Sequence, residues 1–182
     1  MFEIESKNPD EITITTKKTS VTVNVAQSEV DGNLSVGKIQ GPGEFEIGDI
    51  YIKGIDVIEA QTSAERSASE DGKSEKKAAD ATISSDGSVV AERPVTYLVT
   101  VGGVKIAVIG GCEKALDELG MVDILCTSSV RAVREIEPKL VISMGNIDGM
   151  VTELKLTART EKKLKVKNAD SLPAALEVVA LS

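Results

Sequence analysis

Apolar and polar residues alternate along much of the chain, with the period of two that is typical of half-buried β-strands. The first part of the chain contains three such runs, separated by polar segments with turn-forming residues. We therefore predict three short strands joined by turns. The strands are Phe2–Glu5, Glu11–Thr16 and Ser20–Val25, and the turns are Asn8-Pro9-Asp10 and Lys17-Lys18. Val30–Gly37 is polar and contains two glycines, so we predict a loop there.

Two glycine-containing dipeptides predict β-hairpins further along the chain. Gly48-Asp49 separates two alternating runs, and Gly102-Gly103 separates Tyr97–Val101 from Val104–Ile109. Two-residue hairpin turns need positive φ, which glycine adopts without steric strain. Gly54 lies inside a predicted strand, where glycine indicates a bulge or a close approach of another segment.

The centre of the chain mixes helical patterns with buried strands. Glu113–Leu119 predicts a short helix that ends at Gly120, and Val130–Ile136 predicts a second helix that stops before Pro138. Continuous apolar runs predict buried strands at Val122–Cys126 and Lys139–Met144. Because strands outnumber helices and helices fall between buried strands, the predicted fold class is α/β (α+β), with layered sheets and helices outside.

The C-terminal part is predicted to be a loop followed by further strands. The loop is Gly145–Gly149, and the strands are Val151–Thr157, Lys163–Lys167 and Ala175–Leu181. The lysines at 163, 165 and 167 alternate with Leu164 and Val166, so they are predicted to form the solvated face of a strand. Lysines of this kind also suit an edge strand, which they protect from pairing with other chains.

Residues 60–92 differ from the rest, because they are rich in Ser, Ala, Glu and Lys and almost free of large apolar side chains. Such a segment cannot bury enough surface to offset the entropy lost on ordering. We predict one domain spanning residues 1–182, with a flexible low-complexity insert at about 60–92. The alternative is a docking segment that orders on a partner.

Composition limits the possible partners and location. The net charge is −8, which disfavours nucleic acid as a partner because phosphates are bound by clustered Lys and Arg. No apolar run is long enough for a membrane helix, and the N-terminal segment lacks the apolar region of a signal peptide. We expect a cytoplasmic protein that uses neither a membrane nor nucleic acid.

The chain contains no histidine. Histidine is the commonest metal ligand and the usual acid–base residue near neutral pH. Its absence excludes catalytic triads built on histidine and every zinc site that needs imidazole.

Three segments, in order, resemble segments of one protein family. Gly41–Ile55, GPGEFEIGDIYIKGI, is similar to its GPGEYEI hairpin. Thr96–Cys126 is similar to its strand, glycine turn and Leu-Gly-Asp-Leu run, and Ile136–Gly145, IEPKLVISMG, is similar to its I-PK-VIPMH segment. These segments resemble the metallo-β-lactamase superfamily, and most closely its small bacterial and archaeal branch of Zn-dependent hydrolases. The resemblance implies an αββα sandwich, which would here be truncated in its N-terminal half.

The resemblance also implies a metal site that this sequence lacks. Family members hold one or two metals with a His-x-His-x-Asp-His loop, an Asp after a central strand and a His after a later strand. The Asp position falls on Gly111 and the later His position on Gly145, and the stretch between Val25 and Gly41 is too short for the His-rich loop. This implies a degenerate family member without the metal ligands.

Few residues remain that could carry chemistry. Cys112 is the weak candidate for a nucleophile, because a thiolate just before a helix is stabilised by the free N–H groups there. Most cysteines are simply small buried hydrophobic residues, and Cys126 is predicted to be one. Asp31 and Asn146 are the other possible metal donors, but the four residues are scattered, so we expect no metal or other cofactor. Gly110-Gly111 is predicted to be a simple turn, with anion binding on its N–H groups as the alternative.

We therefore expect a non-catalytic binding or assembly module on a metallo-β-lactamase fold, acting with a protein partner or with itself as a homo-oligomer. Two alternatives stay open. One is a hydrolase-like enzyme with a remodelled site around Cys112, and the other is a small-ligand-binding module in the vacated metal cleft.

Overall fold

The computed structural model describes residues 1–26, 29–32, 39–56, 95–110 and 116–182. In chain order the strands are β1 (Phe2–Asn8), β2 (Glu11–Thr15), β3 (Ser20–Asn24), β4 (Glu29–Gly32), β5 (Ile39–Gln40), β6 (Gly43–Ile47), β7 (Ile50–Asp56), β8 (Val95–Val101), β9 (Val104–Val108), β10 (Ile124–Thr127), β11 (Leu140–Ser143), β12 (Ala158–Glu161), β13 (Leu164–Val166) and β14 (Glu177–Leu181). The α-helices are α1 (Val130–Ile136) and α2 (Ile147–Leu154), and 3₁₀ turns occupy Leu116–Glu118 and Ala169–Ser171.

The strands form two sheets that pack face to face. The small sheet has six strands in the order β13-β1-β2-β3-β4-β5, and the large sheet has eight in the order β12-β14-β11-β10-β9-β8-β7-β6. Alternate residues of both sheets point into one aliphatic core between them, as the period-two pattern predicts. Fully buried members of this core include Ile12 and Val23 of the small sheet and Ile52, Ile106 and Ile142 of the large sheet.

A second core lies between the other face of the large sheet and the helices. It contains Leu125 and Val141 from the sheet, together with Ala132, Val133 and Met150 from the helices. The layers therefore run from the small sheet through the large sheet to the helices. This is a mixed α+β architecture rich in strands, as predicted from the sequence. Within the described part of the chain, no helix is both long and apolar enough to cross a membrane.

Several predicted elements are confirmed. The hairpin turns at Gly48-Asp49 and Gly102-Gly103 join antiparallel strand pairs, and Gly102 and Gly103 both have positive φ, 56° and 78°. Helix α1 has the predicted bounds. At its start, Ser129 Oγ accepts a hydrogen bond from Ala132 N at 3.0 Å and so caps the helix. The strand β13 lies at an edge of the small sheet, with Leu164 and Val166 buried and the neighbouring lysines exposed.

Two predictions in the C-terminal half are wrong. Residues 147–154 form helix α2, where we predicted the end of a loop (Gly145–Gly149) and most of a strand (Val151–Thr157). Asn146 begins the helix, because its side-chain oxygen accepts a hydrogen bond from Gly149 N at 3.2 Å. The apolar residues at 147, 150, 151 and 154 follow the helical period and face the second core, so the β-branched composition was misleading.

The predicted loop Val30–Gly37 is also wrong at its start. Glu29–Gly32 forms strand β4, with Val30 opposite Val23 of β3 and fully buried. Residues 33–38 lie outside the described residues, so the rest of that prediction is not tested. The same holds for the predicted insert at 60–92 and for the first three residues of the predicted helix Glu113–Leu119. The described part of that helix contains the 3₁₀ turn Leu116–Glu118.

Asp123 links the amino ends of three neighbouring strands of the large sheet. Its carboxylate accepts hydrogen bonds from Lys105 N at 3.1 Å and from Lys139 Nζ at 3.0 Å. Its backbone oxygen accepts hydrogen bonds from Lys139 N and Leu140 N. Asp123 therefore fixes where β9, β10 and β11 begin, and this gives a structural role to the one charged residue of an apolar run.

We expect Asp123→Ala to lower the free energy of unfolding by about 1.5 kcal/mol, because a backbone N–H loses a charged acceptor. Lys139→Met removes only the exposed ion pair, and we expect a loss of about 0.5 kcal/mol. Urea unfolding of both variants measures the difference. Equal losses would show that the exposed ion pair, and not the bond to Lys105 N, carries the contribution of Asp123.

Candidate functional site

Five neighbouring strands of the large sheet, β9, β10, β11, β14 and β12, run parallel. Their carboxyl ends therefore meet at one edge of the sandwich, the carboxyl edge. Ligands of parallel sheets bind outside the carboxyl ends of the strands. The residues that follow β9, β10 and β11 at this edge are Ile109-Gly110, Ser128 and Met144-Gly145. The predicted site position after β11, Gly145, thus lies at this edge, together with the last described residue after β9, Gly110.

Gly145 is exposed and lies just after β11, where the resemblance implies a metal-binding histidine. A Cβ atom built on Gly145 would lie 3.9 Å from Ser128 Cβ, so a side chain would not collide with its surroundings. The backbone φ of 112°, however, is one that residues with a side chain rarely adopt. The local backbone is therefore built for glycine, and the position cannot supply a side-chain ligand.

Gly110 lies at the same carboxyl edge, two residues after the end of β9. A Cβ atom there would lie 3.1 Å from Val25 Cβ, so the glycine permits close packing between the segment after β9 and the end of β3. The predicted turn Gly110-Gly111 includes a residue outside the described part of the chain, so it stays a prediction. Gly111 and Cys112 lie outside the described residues, so the vacated Asp position and the weak nucleophile candidate both stay predictions.

Cys126 lies in β10 and is fully buried in the core between the sheets, as predicted. Burial raises the pKa of the Cys126 thiol far above its ordinary value, so the thiolate needed for attack or metal binding does not form near neutral pH. The side chain is a small apolar part of the core.

The remaining predicted donors are not brought together. Asp31 is exposed on β4, opposite Thr22, in the small sheet. Asn146 is at the carboxyl edge, but its side-chain oxygen caps α2. Among the described residues, no three Cys, Asp or Glu side chains lie close enough together to hold a metal ion. A first-row metal needs three or four suitable donors, so the described residues do not fit the metal site that the family resemblance implies.

A groove of about 280 Å³ opens at the carboxyl edge, between the β1–β2 turn of the small sheet and the ends of β11 and β14. Its walls include Lys7 and Pro9 from the turn, Ser143 from β11, and Ala180 and Leu181 from β14. Sequence reasoning missed these residues. They lie far apart in the sequence, and Lys7 and Ser143 have no pattern that distinguishes them from ordinary strand residues.

Comparison with known proteins gives a structural match and no sequence match. No family model matches the chain, and no curated protein matches it. A solved structure from Thermotoga maritima, described as a candidate Zn-dependent hydrolase of the metallo-β-lactamase superfamily, matches with a TM-score of 0.60 and 11% identity. The match covers 100% of both chains. At this identity the similarity shows the fold alone, which is the metallo-β-lactamase fold.

Proposed function

We propose that this protein has a metallo-β-lactamase fold without the metal site and acts as a non-catalytic binding or assembly module. The observation that carries the proposal is at the carboxyl edge. Gly145 holds the position after β11 with a φ of 112° that suits glycine, and the adjacent Asn146 side chain is engaged in capping α2. A metal site at this edge would need donors that these residues cannot supply.

The absence of histidine from the full chain supports the same proposal. A site built without imidazole would need cysteine or carboxylate donors. Cys126 is fully buried between the sheets, and Asp123 is engaged at the opposite, amino ends of the strands. Neither of these two described donors is therefore available at the carboxyl edge.

Charged side chains at two edge strands, β13 and β12, disfavour unlimited strand pairing between molecules. Association is therefore expected to use a defined binding surface. Lys163 immediately precedes β13, and its Nζ donates hydrogen bonds to Glu3 Oε2 at 3.0 Å and Glu5 Oε1 at 3.2 Å. The hydrogen bond from Lys163 lowers the pKa of the Glu3 carboxyl, so this carboxylate stays charged at neutral pH. On β12, Arg159 Nη1 lies 3.4 Å from Glu161 Oε1, and Arg159 Nε lies 3.7 Å from Glu177 Oε2. Charged side chains on edge strands oppose uncontrolled addition of further strands.

The test is the metal content and hydrolytic activity of the untagged protein after dialysis against zinc. We expect less than about 0.1 metal ion per chain, because a stable site needs three or four donors. We also expect no zinc-dependent hydrolysis of lactone, thioester or phosphoester substrates. The same chain with a histidine tag is the matched control, since its tag supplies imidazole and takes up zinc.

Near one metal ion per untagged chain would contradict the proposal, as would turnover of these substrates at enzyme-like rates. Turnover without metal would instead favour the alternative site around Cys112. In that case Cys112→Ser should abolish the metal-independent turnover. Cys126→Ser should leave the turnover per folded molecule unchanged, because Cys126 is a core residue.

A further inference from the structure

Strand β12 is an edge of the large sheet, and no described strand lies beyond it. It pairs on one side, with β14. Ala158, Arg159 and Thr160 are exposed, and Glu161 is half-buried. An open strand edge presents unpaired N–H and C=O groups, which pair readily with a strand of another molecule. The outer side of β12 is therefore a surface to which a further strand can be added.

The main-chain groups of Thr160 point away from the sheet. Ser182 N donates a hydrogen bond to Glu161 O at 3.0 Å, so the main-chain groups of Glu161 face β14. Main-chain groups of successive residues in a strand point to opposite sides. Thr160 therefore presents both its N–H and its C=O at the open edge, whereas Arg159, like Glu161, directs its own groups towards β14.

The charges along β12 complement those of a second copy of the same strand. Arg159 and Glu161 are two residues apart, so their side chains lie on one face of the strand. In an antiparallel pairing with the two Thr160 residues opposite each other, Arg159 of each copy lies opposite Glu161 of the other. These are the non-hydrogen-bonded pairs, in which side chains are closest. The four charges then alternate in sign, and opposite charges across two strands stabilise the pair.

The charges also select this register over its neighbours. An antiparallel pairing of two identical strands is centred on one residue, which lies opposite itself. A pairing centred on Arg159 or on Glu161 would place two like charges opposite each other, which destabilises the pair. A pairing centred on Thr160 has no such repulsion, and it joins the outward N–H and C=O groups of both copies.

The other described edge strands of four or fewer pairs do not share this property, because their exposed charges have one sign. β13 and its flanking residues carry lysines, and β6 at the far edge of the large sheet carries glutamates; they are Lys163, Lys165 and Lys167, and Glu44 and Glu46. β5 is only two residues long. Two copies of β13 or of β6 would place like charges opposite each other. Within the described part of the chain, β12 is thus the edge strand whose charges suit self-pairing.

We propose that two copies of this protein pair through β12 into a closed two-fold dimer, in which the two large sheets become one continuous sheet. Thr160 of each copy exchanges N–H···O hydrogen bonds with Thr160 of the other, and Arg159 forms an ion pair with Glu161 of the second copy. The two-fold axis uses the same edge of both copies, so no β12 edge stays open for a third chain. This inference rests on the proposed function, since it names a second copy as the partner of the assembly module.

The test is sedimentation velocity of the untagged full chain at concentrations from about 10 µM to about 1 mM. We expect a reversible equilibrium between monomer and dimer. The dissociation constant should be on the order of 100 µM, because a strand of four residues makes an interface at the small end of the known range. No species larger than a dimer is expected, since the two-fold pairing closes the edge.

Arg159→Glu and Glu161→Arg test the ion pairs. Each variant alone places like charges opposite each other at both cross-strand positions, so its self-association should weaken by at least about 10-fold. An equal mixture of the two variants places opposite charges at both positions and should form a mixed dimer. Glu46→Arg on β6 is the matched control for Glu161→Arg, because it makes the same change of charge at the far edge of the large sheet and should leave dimerisation unchanged.

Thr160→Pro tests the main-chain hydrogen bonds. Proline removes the outward N–H and leaves the bonds between β12 and β14 in place, and proline is tolerated in edge strands at such positions. We expect the circular dichroism spectrum of the monomer to match that of the wild type, and dimerisation to be lost.

Other outcomes contradict the inference. A wild-type chain that stays monomeric at about 1 mM would overturn it, as would association that the charge reversals leave unchanged or that grows beyond a dimer. A mixture of the two variants that stays monomeric would exclude the ion pairs, and a Thr160→Pro dimer would exclude the main-chain pairing. A metal-free, inactive protein that does not associate would leave the non-catalytic function standing with another partner. A dimer with zinc-dependent turnover would overturn that function and keep the pairing.

Discussion

Replacing Gly54 by alanine is expected to lower the free energy of unfolding by about 3 kcal/mol, because the added methyl group has no space. A Cβ atom on Gly54 would lie 2.8 Å from Gly41 O, 3.2 Å from Pro42 Cα and 3.2 Å from Val95 Cγ1. The first two are backbone atoms, so they cannot move aside by a rotamer change. Gly54 is also paired to strands on both sides, with Gly43 and Tyr97 as its register partners, so β7 cannot shift alone.

Gly102→Ala is the matched control for Gly54→Ala. Gly102 has a φ of 56°, and a Cβ atom there would meet nothing within 4 Å. This control therefore measures backbone strain without overpacking, and we expect it to lower the unfolding free energy by about 1 kcal/mol. Urea unfolding of the two variants separates the effects. A loss for Gly54→Ala no larger than for Gly102→Ala would show that the turn at Gly41-Pro42 moves away at little cost.

Raising the pH from about 10 to about 12 is expected to remove about 2 kcal/mol of stability through Tyr97. Tyr97 is fully buried between the sheets, and burial together with the nearby Glu29 charge raises its pKa from 10.0 to about 12. In the unfolded chain the phenol ionises near pH 10, whereas in the folded protein it stays protonated. The unfolded state therefore binds fewer protons in this range, so the contribution is complete below pH 10 and lost as the pH rises to about 12.

Tyr97→Phe isolates this contribution. We measure its unfolding free energy by urea unfolding across the same pH range. The total decrease should be smaller than that of the wild type by about 2 kcal/mol. Tyr51→Phe is the matched control, because Tyr51 is the other tyrosine, is 39% exposed, and should leave the steep part of the curve in place. Parallel curves for wild type and Tyr97→Phe would contradict the expected burial of the phenol. A titration of phenolate absorbance in Tyr51→Phe reports the pKa of Tyr97 directly.

The local features of the fold could be predicted where the signal was contained in a few adjacent residues. Gly102-Gly103 fixes its hairpin because both glycines adopt positive φ. Helix α1 was predicted with its observed bounds because Pro138 marks its end, and the structure adds the Ser129 cap at its start. Glycine at position 54 indicated a bulge or close packing, but only the structure shows that the close neighbour is the Gly41-Pro42 turn.

The failures arose where tertiary contacts decide between two local choices. The segment Ile147–Leu154 is rich in β-branched residues and was predicted as loop and strand, yet its apolar face packs on the large sheet as a helix. Strand β4 was predicted as a loop because Val30 is its only large apolar residue. Val30 is buried because it pairs with Val23 of β3, and this pairing is not visible in the local sequence. Strand β12 was not predicted, since its residues are largely exposed and only its pairing with β14 makes it a strand.

For the candidate site, the sequence by itself determined which chemistry is excluded. A chain without histidine has no imidazole ligand in any conformation, and Gly145 supplies no side chain wherever it lies. The tertiary structure decided which groups meet. Lys7 and Ser143 line one groove because the two sheets stack and the parallel strands end at a common edge. That proximity results from strand order and sheet packing, which no short stretch of sequence encodes, whereas the excluded chemistry follows from side-chain composition alone.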